Sequence, residues 1–583
     1  MKHHDTESLQ RQGRAALAIL AATAPSLLAY NVSPSPTFLN QALAIALWGW
    51  FVMAAAPRSG AWWQGAGPLA AALGVLLLAV LWSWGPGALP MGLALSAIGM
   101  LLAAGVLLAS GAAAHARPDA ASAFGDFCLG WVVAGALNVA IAAIQVFAPG
   151  WTDGDWLATS GIPGRAVGNL RQPNHLSSLL LWSAIAVIAL AELRRLNRRW
   201  AVAMFAAMIF AVVLTASRTG TVSVVLLALW ALVDRRLSRP MRALLLAAPL
   251  LYAVAWLGMA EWAKLAHGNF GGTARLAEAD VSGSRFNIWR DTLALIRMHP
   301  WLGVGFGEFN FAWSLTPFPQ RAIAFFDHTH NLPLQLAVEI GLPLAALVMA
   351  LLLWALVRAV RQGLHDDGDT GIGRRCATVM VLMIGLHSLL EYPLWYSYFL
   401  LPAAWAWAFA VGQPRGALPV AGGPSRSFTA AGIALVLAAT LSVLDYRSVT
   451  AIFSAADGAP PLAERIRRGQ HSVLFAHHAD YAAATTDADS SNLQPFERAS
   501  HYLLDTRLMV AWAKALAQRG ELDEASAIAA RLREFHNAAS QEFFAECQAP
   551  ASAAAAASTA ASAPLFQCQP PRREPGWQAY LRP

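Results

Sequence analysis

The chain has 583 residues, of which 57% are hydrophobic and 13% charged, with a net charge of +7. Soluble domains carry about 25% charged residues, so this composition excludes an ordinary soluble protein. The positive balance does not point to nucleic acid, because the basic residues fall largely in short loops between apolar runs, where they set membrane orientation.

In chain order, apolar runs lie at roughly 14–30, 38–56, 66–84, 90–111, 124–147, 175–193, 200–216, 219–233, 243–260, 332–357, 376–391, 395–412 and 428–445. Most have the roughly 17–25 residues needed to cross a bilayer as helix, so the sequence predicts an all-α, polytopic membrane protein with about 13 transmembrane helices. Alternating ten-residue segments, the mark of a membrane β-barrel, are not visible. The start, MKHHDTESLQRQGR, reads as a cytoplasmic tail before a retained first helix rather than a removed signal peptide.

With the N-terminus inside, the loops at 56–60, 114–119, 192–200, 234–242, 358–375 and 413–416 fall in the cytoplasm, and these are the basic loops. The opposite loops at 31–37 and 84–90 carry no Lys or Arg. The same topology puts 148–174, 217–219, 261–331, the 391–396 corner and everything after 446 outside. The expected division is a membrane domain, 1–445, with a large outer loop at 261–331, and an outer helical tail, 446–583. Within the tail, 511–539 reads as helix, Gly-centred turn, helix, similar to one tetratricopeptide unit. A low-complexity linker, 551–564, is flanked by Cys547 and Cys568, which an oxidising compartment would allow to pair. Cys128 and Cys376 lie in or beside spans and read as core.

The outward segments hold the unusual polar residues. Phe326-Asp327-His328-Thr329-His330-Asn331 abuts the apolar run from 332, where charge is costly and therefore usually functional. A His near neutral pKa suits general-base work, whereas a zinc site would need ligands that the sequence does not place nearby. Asp327 either orients a ring or caps the following helix, with the cap favoured. Asn169-Leu170-Arg171-Gln172-Pro173-Asn174-His175 reads in part as a turn with Asn caps, yet a cap does not explain Arg171, Gln172 and His175 together. Arg218, in Ser217-Arg218-Thr219-Gly220, stands against the inside-positive bias and calls for an anion. Arg285 opens an amphipathic stretch that suits an interfacial helix, followed by the Gly-rich GVGFG, which is a turn and not a phosphate loop. Glu391-Tyr392-Pro393 forms a corner whose carboxylate is expected to pair with one of the arginines.

These pieces, in this order, resemble the membrane glycan ligases grouped as O-antigen ligases and protein O-oligosaccharyltransferases. The ligase pattern, a His followed by Asn, Ser or Gln, nine residues and Gly, is met by His330, Asn331 and Gly341, although its later Gly, Thr or Tyr falls on Leu344. The RQPNH, HTHN and EYPLWY segments and the helical tail look more like the protein-glycosylating branch. The resemblance implies transfer of a glycan from undecaprenyl diphosphate to Ser or Thr of an exported protein such as a pilin, without metal or cofactor. It implies a multi-pass protein of the bacterial inner membrane whose site faces the periplasm. His330, Gln172 and Tyr392 would be catalytic; Arg218, Arg285 and Arg171 would bind diphosphate; Asp327, His328, Asn331, Glu391 and His175 would support them. Lipid A–core is the acceptor in the ligase alternative. An O-antigen polymerase and a lipid-linked glycan transporter are the further alternatives, and the membrane lipid is a partner in every reading.

Overall fold

The computed structural model describes residues 2–55, 65–273, 281–321, 325–413, 425–486, 491–548 and 565–581. The expected inner loop at 56–60, residues 414–416 of another and the linker 551–564 lie outside them. Among the described residues every regular element is a helix. In order these are α1 (Lys2–Leu27), α2 (Phe38–Ala54), α3 (Gly67–Trp84), α4 (Met91–His115), α5 (Ala120–Phe147), α6 (Pro173–Glu192), α7 (Arg198–Thr215), α8 (Arg218–Val233) and α9 (Arg239–Leu265). There follow α10 (Val281–Met298), α11 (Phe309–Leu315), α12 (Leu332–His365), α13 (Gly368–Ser388), α14 (Ser397–Val411) and α15 (Arg426–Phe453). The tail forms α16 (Leu462–Gly469), α17 (Ala476–Thr486), α18 (Gln494–Ser500), α19 (Thr506–Gln518), α20 (Leu522–Glu534) and α21 (Ala538–Phe543), besides short 3-10 turns.

Each apolar run expected to span is occupied by one of these helices. Eight are long and apolar enough to cross a bilayer: α3, α4, α5, α6, α7, α9, α12 and α15. The helices α2, α8 and α14 are apolar but shorter. This is a multi-pass helical membrane protein.

The chain divides into two compact units, the first made of 1–74, 99–279 and 348–443, the second of 75–98, 280–347 and 444–583. In the first unit α6 is the packing centre. Every residue from His175 to Leu190 is buried, as expected of a helix that is apolar all round. It packs on α5, α7, α8 and α13. The Trp182 indole donates to the Met380 carbonyl (2.9 Å), giving the buried ring its polar partner. Small residues let helices approach closely. A Cβ on Gly130 of α5 would sit 2.4 Å from the Ala18 carbonyl oxygen of α1. Cys128 and Cys376 are buried here, as expected.

The basic loops of this unit do more than set orientation. Asp126, fully buried, accepts from Arg14 and Arg195, each at 2.7 Å. Arg375 meets Asp234 at 2.9 Å, and Arg374 meets Asp366 at 2.8 Å. Pairs with a buried member are costly to break one-sidedly, so these charges also fix helix ends to one another.

In the second unit α12 is bent at Gly341, whose φ of 76° lies in the left-handed region. The WLGVGFG segment docks at this bend: Val304 and Gly305 donate to the carbonyls of Val338 and Glu339 (2.8 and 2.9 Å), and Leu342 donates to Pro300 (2.8 Å). The expected turn is therefore a plug for the backbone groups that the bend frees. In the tail, α19 and α20 form the expected helical pair across Gly520, and Cys547 and Cys568 are joined by a disulfide.

Candidate active site

Among the described residues six non-Gly positions are held in the left-handed region, and three of them, Arg171 (φ 59°), Ala216 (φ 49°) and His330 (φ 53°), lie in or beside the RQPNH, SRTG and HTHN segments. Such conformations are uncommon outside glycine and cluster at functional sites.

In the first unit, the 148–172 loop is organised by two buried amides. Gln145 Oε1 accepts from the Val167 and Gly168 N–H groups, both at 2.9 Å. Asn169 Nδ2 donates to the carbonyls of Leu27 (2.6 Å) and Trp156 (2.9 Å). Arg171 extends this scaffold, with Nη2 donating to the Ala29 and Gly154 carbonyls at 2.9 and 3.0 Å. Gln172 is the N-cap of α6, its Oε1 accepting from the His175 N–H at 2.8 Å.

The cap leaves Asn174 free for a different task from the capping expected of it. Its Nδ2 donates to Glu391 (3.1 Å), and its Oδ1 accepts from the Ser217 hydroxyl (2.6 Å). Ser217 in turn caps α8 by accepting from the Gly220 N–H (3.0 Å), which sets Arg218 in the first helical turn with its side chain exposed. One asparagine thus ties the RQPNH, SRTG and EYP segments together. His175 is buried, hydrogen-bonded to Tyr398 (3.0 Å) and edge-on to Tyr396 (4.5 Å). Tyr392 lies parallel to Tyr396, at 6.2 Å.

In the second unit, the HTHN loop is built on Thr329, which is fully buried. Its N–H donates to Gln335 Oε1 (2.8 Å), its hydroxyl to the Asn331 carbonyl (2.9 Å), and its carbonyl accepts from the Trp289 indole (2.9 Å). Asn331 caps α12, Oδ1 accepting from the Leu334 N–H at 3.0 Å. That corrects the expectation that Asp327 serves as the cap: the helix begins at Leu332, so only Asn331 stands at the capping position. Asp327 instead meets His328 Nδ1 at 3.2 Å. Burial would raise the Asp327 carboxyl, but His328 and His330 outweigh it and hold it below its ordinary range. His330 packs edge-on to Phe326, ring centres 5.5 Å apart. Arg285 lies four residues before Trp289 on the same helical face, the face that Trp289 places against Thr329.

Asn174, Ser217, Tyr398, Trp289 and Gln335 carry the geometry without having been singled out as site residues. Gln335 was findable: with Glu339 it forms a polar pair at helical spacing in an apolar run, joined at 2.9 Å.

A second layer joins this loop to the tail. Arg321 is buried, donates to the Trp313 and Thr316 carbonyls (2.7 and 2.6 Å), meets Glu534 at 3.1 Å, and lies over the rings of Trp313 and Phe535. Burial lowers its pKa to about 10 despite Glu534, so the guanidinium stays charged. Glu308 and His501, both buried, meet at 2.7 Å.

Known proteins match this chain in the same segments. Residues 203–349 match the family described as O-antigen ligase, and residues 166–191 the family described as protein glycosylation ligase. Both of these families are described as ligases. Residues 376–549 match a third family, the C-terminal part of a virulence factor membrane-bound polymerase. The chain is 29% identical over 266 residues to a general O-oligosaccharyltransferase of Acinetobacter baylyi, covering 42% of this chain and 45% of that protein. It is 28% identical over 273 residues to a ComP-specific O-oligosaccharyltransferase of the same organism, covering 46% of each. The matched stretch thus spans less than half the length of either relative. The glycosylation ligase segment contains Arg171, Gln172 and His175; the O-antigen ligase segment contains Arg218, Arg285, Asp327, His328, His330, Asn331 and Gly341.

Proposed function

We propose that this protein transfers a preassembled oligosaccharide from undecaprenyl diphosphate to Ser or Thr of exported proteins, such as a pilin, at the outer face of the inner membrane. The observation that carries the reading is that matches to two ligase families fall in one chain and contain Arg171 and His330, motif residues held in the left-handed region.

In the proposed step the acceptor hydroxyl oxygen attacks the anomeric carbon and the bond from that carbon to the diphosphate oxygen breaks. Undecaprenyl diphosphate leaves with the electron pair, and the hydroxyl proton passes to His330. Arg218 and Arg285 would bind the departing diphosphate, which guanidinium groups match without risk of deprotonation. Arg218 sits in the first turn of α8, where the positive end of the helix dipole also favours an anion. Arg171 would act through the loop scaffold, since its guanidinium already holds two carbonyls. Gln172 and Tyr392 would line the site, with His175, Glu391, Asp327, His328 and Asn331 in support. No metal or cofactor enters this step.

The test is reconstituted transfer from a lipid-diphosphate glycan, with purified pilin and lipid A–core offered in parallel. Glycosylated pilin supports the proposal. Label on lipid A–core alone moves the assignment to an O-antigen ligase. Elongation of the lipid-linked glycan itself, the outcome that the match at 376–549 makes worth measuring, moves it to a polymerase.

A further inference from the structure

The second unit holds a cavity of about 700 Å³, formed by the 86–92 segment and the tail helices from Gln470 to His501. Its size is that of an ordinary ligand site. Its polar wall includes Gln470, His477, Asp480, Gln494, Glu497, Arg498 and His501. None of these belongs to the motifs described above.

Asp480 is the residue that points to an occupant. It is 1% exposed, and its Oδ1 accepts from Gln470 Nε2 at 2.8 Å. Its Oδ2 accepts no hydrogen bond among the described residues and lies 3.9 Å from Arg498 Nη1, beyond hydrogen-bond reach. A buried carboxylate oxygen without a donor calls for an explanation, and a ligand donor supplies one. The wall also leads to the HTHN loop. His501 pairs with Glu308 (2.7 Å); Asn310, two residues on, donates to the Phe326 carbonyl (3.0 Å); and Phe326 packs against His330. Three contacts thus connect the cavity wall to the segment that holds His330.

We propose that this cavity takes a short, donor-bearing and basic segment of the acceptor polypeptide. The inference rests on the acceptor being a protein. Two carboxylates, Asp480 and Glu497, face one guanidinium, Arg498, while His501 is already paired with Glu308. That imbalance favours a ligand with N–H donors and positive charge. The Gln470 and Gln494 amides offer the paired donor and acceptor that a peptide backbone uses. Among the described lining residues there is no Trp, Tyr or Phe on which a sugar ring would stack, which favours peptide over glycan.

The experiment uses the full chain in lipid nanodiscs, panned against a random decapeptide display library. Recovered peptides are titrated against wild type, Asp480→Asn and Gln494→Lys. Asp480→Asn keeps the acceptor for Gln470 but turns the open oxygen into an N–H donor; Gln494→Lys adds positive charge at an exposed wall position. The expected result is a set of Lys- or Arg-containing peptides whose affinity falls at least about tenfold in both variants. The inference is overturned by recovery of no such peptides, or by peptides that bind both variants as well as wild type. It is also overturned by a glycan array in which oligosaccharides bind wild type and not Asp480→Asn. Binding is read without transfer, so a wild type that glycosylates protein yet selects no basic peptide fails this inference alone.

Discussion

A methyl group on Gly341 would lie 2.2 Å from the carbonyl oxygen of Trp301, and Gly341 itself holds a φ of 76°. The glycine of the His-Asn-nine-Gly spacing is thus the hinge at which α12 bends around the WLGVGFG segment. Gly341→Ala combines left-handed strain with a backbone clash. We expect destabilisation of about 2–4 kcal/mol, seen as a fall in melting temperature by tryptophan fluorescence. Leu344→Ala, at an exposed site, should leave the melt within experimental scatter. Equal melts for the two variants would remove the hinge assignment.

Arg321 and Glu534 test the join between the loop and the tail. Removing one member of a buried pair costs about 3–5 kcal/mol, because the other charge is left buried. Glu534→Gln should therefore expose the 309–321 segment to limited proteolysis while the membrane helices keep their helical signal. Unchanged proteolysis would show that the rings of Trp313 and Phe535 hold Arg321 without its partner.

Asp480 gives a pH dependence of definite sign. Burial, set against the Gln470 bond and Arg498, raises its pKa from 3.8 to about 6. Between these values the folded state binds more protons than the unfolded state, so stability falls as pH rises through 6. Arg498 and Glu497 face the same cavity, with His477 beside them. Asp480→Asn should be the more stable protein at pH 7–8, by about 2–3 kcal/mol at most, with the difference gone near pH 4. A variant less stable than wild type at every pH would contradict the assigned burial cost.

The Cys547–Cys568 bond closes a 21-residue separation. Loop-closure entropy for that length is about 3 kcal/mol. Cys547→Ser should lower the melt of the tail and leave that of the membrane helices in place. A single, unshifted melt would make the bond dispensable.

The helices of the membrane domain are legible because each lies in a long apolar run, and α19–Gly520–α20 because a Gly breaks a helical pattern in two. The capping role was assigned to the wrong residue because Asp327 and Asn331 are both good caps by chemistry. Only the start of α12 at Leu332 chooses between them, and helix starts are the least readable feature of a sequence. The contacts Arg321–Glu534 and Glu308–His501 have no local signal, since their partners are separated by about two hundred residues and their pairing is a property of tertiary contact. From sequence Asn174 reads as a turn residue, because its partners, Ser217 and Glu391, come from two distant corners.

The most direct measurement is single-turnover glycan transfer to a protein acceptor by wild type and His330→Asn. Asparagine tolerates the left-handed backbone at this position, so the loop should keep its shape. If His330 accepts the proton of the acceptor hydroxyl, the rate falls by at least about 100-fold while the lipid-linked donor still binds. Transfer by His330→Asn at the wild-type rate, or a wild type that delivers glycan to lipid A–core and never to protein, would contradict the account.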